Sequence, residues 1–107
     1  MAESWDEETI PILRISDREV ALAWYRRLGF VEEWTHRFTP DLPAFVSVRR
    51  GEPGTGVRLF LSEHTGDARP DGLVYIRVAD VRPLAADFGV AVDDDGGSRL
   101  DIELVDP

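Results

Sequence analysis

The chain starts twice. Leu13-Arg14-Ile15-Ser16-Asp17 is matched 63 residues later by Ile76-Arg77-Val78-Ala79-Asp80. Each segment leads into a helical pattern closed by a glycine, in Leu28-Gly29-Phe30 and again in Phe88-Gly89-Val90. In the first half, residues 9–15 form an apolar run that reads as a strand, and Ser16-Asp17-Arg18-Glu19 reads as a capping box. Val20, Ala21, Trp24, Tyr25 and Leu28 then recur at helical spacing up to Gly29, a left-handed stop. Strands are expected at residues 30–38, 44–49 and 57–62, the last two joined by a turn over 51–56. In the second half, a strand is expected at 73–78 and a helix at 81–88, capped by Asp80 with Pro83 in its first turn. Shorter strands are expected at 90–92 and 99–105, with a turn at 93–97. The pattern predicts an α+β fold in which two βαβββ modules, each unable to cover its own sheet, pack side by side. One domain spans 1–107, with modules at about 9–63 and 73–107, and the second is one strand short.

Composition narrows the chemistry. A chain of 107 residues with 43% hydrophobic content can bury a core of its own. It has no cysteine, which removes disulfides, thiolate nucleophiles, zinc–thiolate sites and iron–sulfur clusters. All 12 basic residues are arginine, so no lysine can form a Schiff base. The net charge of −9 argues against nucleic acid and anionic membrane as partners and is compatible with a cationic ligand. No long apolar run is present, and the acidic start is unlike a secretory n-region, so the cytoplasm is the expected compartment.

The polar candidates for catalysis are weak. His36 and His64 follow no zinc spacing and are expected at the surface or in hydrogen bonds. Ser62, His64 and Asp67 lack the strand-to-helix elbow and the oxyanion hole that a serine triad needs. Glu32 and Glu33 are adjacent on a strand and point to opposite faces. Asp93-Asp94-Asp95 reads as a turn, without the ligand pattern of a calcium loop. The aromatic residues are more informative. Trp24 and Tyr25 sit on the packing stripe of the helix, whereas Trp34, His36 and Phe38 share one face of their strand and Phe60 and Ser62 share one face of another.

The segments IPILRISD, AWYRRLGFVEEW, LFLSEHTGD and DIELVDP, in that order, resemble the glyoxalase/bleomycin-resistance group of the vicinal oxygen chelate superfamily, in particular its bleomycin-resistance-like branch. The resemblance runs from Ile10 to Pro107 and implies two βαβββ modules curled around a cleft. In the metal-dependent members a His opens the first strand of each module and a Glu sits on the last. Those positions fall here on Ile10, Leu73 and near Phe60, with the fourth beyond Pro107, so no metal or other cofactor is expected. The resemblance places Trp34, His36, Phe38, Phe60, Ser62 and Tyr75 on the cleft face as ligand-binding residues, with no catalytic residue. It implies a homodimer that sequesters a flat, cationic antibiotic such as bleomycin through stacking and cation–π contact. Two alternatives stand beside it. One is a metal-dependent lyase or dioxygenase with a relocated site at His36, His64 and Glu103; the other is a protein-interaction module without a small ligand.

Overall fold

The computed structural model describes residues 7–52, 56–69 and 72–89. Its elements are β1 (Ile12–Arg14), α1 (Arg18–Arg27), β2 (Val31–His36), β3 (Phe45–Arg50), β4 (Val57–Ser62) and α2 (Arg82–Phe88). The four strands form one sheet in the order β1-β4-β3-β2. β1 runs parallel to β4, and the β2–β3 and β3–β4 pairs are antiparallel. The class is α+β, and β1 through β4 with α1 make a βαβββ unit.

Alternation along β3 and β4 builds the core. Val46, Val48, Leu59 and Leu61 turn to the α1 side and pack with Ala21, Leu22 and Tyr25, while Ile15 and Phe30 close the ends. Each apolar side chain buried this way contributes roughly 1.5–3 kcal/mol relative to exposure. Burial also pushes the Tyr25 phenol up to about 12, so it stays protonated in the core. α2 docks on α1: the Phe88 ring meets Trp24 edge-on at 5.7 Å, and the Arg27 guanidinium lies 3.9 Å over it. Both helices therefore lie on one side of the sheet.

The start of α1 departs from the expected capping box. Asp17, with extended backbone, is the N-cap and accepts from Val20 N at 3.0 Å, because the helix begins at Arg18 and so sets the cap one residue past Ser16. A second cap comes from far along the chain. Glu63, just past β4, accepts from Arg18 N at 2.7 Å through Oε2 and from Ala44 N at 2.8 Å through Oε1. At the other end Gly29 adopts φ +89°, and a Cβ there would come within 3.0 Å of Arg50 Nε.

The second half differs from expectation at its strand and at the cap of its helix. Residues 73–78 form no strand. Their alternation is still used, since Val74 and Ile76 pack against the core while Leu73 and Tyr75 are exposed. The apolar side is satisfied by packing rather than by strand pairing. The N-cap of α2 is Val81, which makes no side-chain cap bond; Asp80, one residue earlier, accepts from Arg82 N at 3.0 Å, and Gly89 closes α2 at φ +68°. The strands expected at 90–92 and 99–105 and the turn at 93–97 lie outside the described residues. Among the described residues no helix is long and apolar enough to cross a membrane.

Candidate functional site

The sheet face turned away from the helices carries the candidate site. Register sets its rows: Trp34 lies opposite Ser47, which lies opposite Phe60, which lies opposite Ile12. Ser47 is small, so the two flanking rings lean together over it at 5.5 Å and bury it. Phe45, one step along β3, completes the cluster, with its ring 6.1 Å from Trp34 and nearly parallel to it and 5.2 Å from Phe60. Trp34 tops this stack and remains 44% exposed. The result is a flat indole on an apolar base, a surface that favours offset stacking.

A β-bulge in β2 adds charge to the face. The pairing with β3 shifts between Glu32 and Trp34, so Glu33 is the extra residue and joins Trp34 on the open side. Glu32 stays on the helix side, where its carboxylate bonds Arg18 Nη2 at 2.6 Å and the Thr35 hydroxyl. That hydroxyl and then the guanidinium hold the Glu32 carboxyl below its ordinary value. The two neighbouring glutamates thus serve opposite faces, as strand alternation requires.

Glu33 sits between two arginines. Arg49 and Arg58 are directly opposed on β3 and β4, an arrangement that two like charges disfavour. Glu33 Oε2 accepts from Arg49 Nε at 2.7 Å and Oε1 accepts from Ser47 Oγ at 2.7 Å. Arg58 Nε lies 2.9 Å from Oε1 but off the hydrogen-bonding direction. Burial works to raise the Glu33 carboxyl, but Arg49, Ser47 and Arg58 outweigh it and hold the group below its ordinary value. The carboxylate is therefore ionised and already partnered.

The sequence-predicted residues divide into four places. Trp34 and Phe60 are in the ring cluster. His36 lies one row further along β2, opposite Phe45, and makes an edge contact at 4.8 Å with Phe38, which is 75% exposed beyond the strand. Ser62 is fully buried, donating to Asp67 Oδ2 at 2.6 Å and accepting from His64 N at 3.1 Å. Its hydroxyl thus staples the turn after β4, and Asp67 sits on the serine itself instead of orienting His64. Tyr75 makes no ring contact with the cluster and lines a groove of about 320 Å³ with Pro11, Val57 and Arg58. Arg58 belongs to both places, since it also pairs with Glu33.

Phe45, Ser47, Arg49, Arg58 and Glu33 are the members of the face that sequence reasoning missed. Alternation of Phe45, Ser47 and Arg49 with Val46 and Val48 carried a signal for β3. Nothing marked Glu33 as a neighbour of Trp34 on one face, because alternation separates adjacent residues and only the bulge brings these two together.

The positions that carry metal ligands in the metal-dependent enzymes do not fit a metal here. Phe60 is packed between rings, and Ile10 and Leu73 offer only hydrocarbon. Among the described residues no three His, Asp or Glu side chains converge. Glu103, the third member of the relocated set, lies outside the described residues.

No curated protein and no solved structure matches the chain. Residues 1–89, which span the βαβββ unit and α2, match the profile of a family described as glyoxalase superfamily protein. The chain belongs to the glyoxalase superfamily.

Proposed function

We propose that the chain is a binding protein of the bleomycin-resistance kind, which holds a flat ring system against Trp34 and makes or breaks no bond. The observation that carries this reading is the half-exposed indole on a base of Phe45 and Phe60, on the sheet face that neither helix covers. Stacking on such a face is worth about 0.5–1.5 kcal/mol beyond the area buried. The net charge of −9 draws a ligand of positive overall charge by long-range attraction. Arg49, Arg58 and Glu33 stand on the same sheet face as the rings. The resemblance supports trapping of an antibiotic in the cytoplasm by a homodimer, in which a second chain completes the cleft wall.

Titration of the metal-free protein with bleomycin, followed by tryptophan fluorescence, tests the reading. Saturable quenching below micromolar concentration is expected, at one ligand per chain or per dimer, with the sedimentation mass of the same sample reporting two chains. Trp34→Ala is expected to weaken binding at least tenfold. An unchanged signal at tens of micromolar would remove bleomycin as the ligand, and binding undiminished in Trp34→Ala would remove the ring cluster as its site.

A further inference from the structure

Among the described residues, the open face holds more hydrogen-bond donors than acceptors that meet them. A guanidinium has five N–H groups. Arg49, whose side chain is only 10% exposed, directs one of them to Glu33 and none to any other described residue. Arg58 reaches Glu8 from Nη1 at 3.0 Å and Glu33 from Nε, and its Nε is the one buried side-chain nitrogen among the described residues with no hydrogen bond. Nη2 of Arg58 has no acceptor among them either. Two cationic forks thus face each other across β3 and β4 with one carboxylate wedged between them, one residue from the exposed indole.

The geometry points to a ligand whose flat ring bears a carboxylate, the ring lying on Trp34 and the carboxylate accepting from the free nitrogens of Arg49, with Arg58 beside it. The inference rests on the ring-binding reading and adds the group that the ring carries. A guanidinium fork matches a carboxylate in plane and spacing, and the charge-assisted bond is strengthened by the low exposure of Arg49. Glu33 holds the Arg49 side chain by Nε, so the terminal nitrogens are oriented before a ligand arrives. The overall charge of the chain opposes an anion, so a preference for one would have to arise locally.

Three probes with the same naphthalene ring separate the possibilities: naphthalene-2-carboxylate, naphthalene-2-carboxamide and naphthalen-2-ylmethylammonium. Affinities are measured by calorimetry on the whole chain at about 0.15 M salt, where the screening length of about 8 Å suppresses the long-range field. The carboxylate is expected to bind at least tenfold more tightly than the ammonium, with the amide between. The Arg49 Nε–H resonance should shift with the carboxylate only. Arg49→Gln should erase the preference, while Arg49→Lys should restore part of it. The order in the unaltered protein decides the matter even if a variant fails to fold. Equal affinities, or the ammonium binding best, would overturn the carboxylate assignment and leave the ring reading standing. No binding by any probe at millimolar concentration would overturn both.

Discussion

Glu63 is the residue on which three parts of the molecule converge. Its two carboxylate oxygens accept from the first amide of α1 and from Ala44 at the entrance to β3, and Arg37 Nη1 lies 3.5 Å away. Helix starts leave amides without intrahelical partners, and here a side chain 45 residues away in sequence meets that need. Glu63→Ala leaves two partly buried amides without an acceptor, at about 1–3 kcal/mol each. Urea denaturation should report a loss of about 2–6 kcal/mol for the two together; a change under about 0.5 kcal/mol would show that water replaces the carboxylate. This is also where the sequence was least legible. Ser16 and Glu19 carry a local capping signal, but the side chains that cap the helix are Asp17 and a glutamate beyond β4, and no local pattern reveals a partner so distant. Trp34 lies at the other extreme: its place on a strand face was readable from period two, and its partner Phe45 needed only the register between β2 and β3.

At the scale of elements, β2 does what its neighbours do not. β3 and β4 alternate cleanly, which is why residues 44–49 and 57–62 were close to the observed Phe45–Arg50 and Val57–Ser62. β1 is shorter than the apolar run, since only Ile12 to Arg14 have β4 opposite them. The bulge in β2 brings Glu33 and Trp34 to the same face and joins a charged pair to an aromatic shelf. Both Glu32 and Glu33 have folded values below their ordinary ones, Glu32 through Thr35 and Arg18, and Glu33 through Arg49, Ser47 and Arg58 against the opposing effect of burial. A lowered carboxyl contributes stability above its unfolded pKa of about 4.3 and loses it as pH falls through the folded value. The melting temperature should therefore be level near neutrality and fall as the solution is acidified below about pH 4.5. Glu33→Gln should begin lower at neutral pH and show a shallower acid limb. An equally steep limb in that variant would mean that Glu33 contributes nothing to the acid response.

Across the whole molecule, helices on one side and an aromatic, arginine-lined face on the other give the chain its polarity. The first βαβββ unit and the superfamily are legible in the sequence. The second half was read less well. Its first segment keeps the alternation of a strand but uses it for packing, because an apolar side can be buried against an existing core without a hydrogen-bonded neighbour. The proposed ligand face is the one opposite the helices, and the tryptophans provide the means to test it. Trp34 stands on the open face, whereas Trp24 packs between α1 and α2. The indole N–H signals of ¹⁵N-labelled protein, followed during titration with naphthalene-2-carboxamide, report on both sides of the sheet at once. A saturable shift of Trp34 with Trp24 unmoved is the predicted result; a shift of Trp24 alone, or of neither, would contradict it.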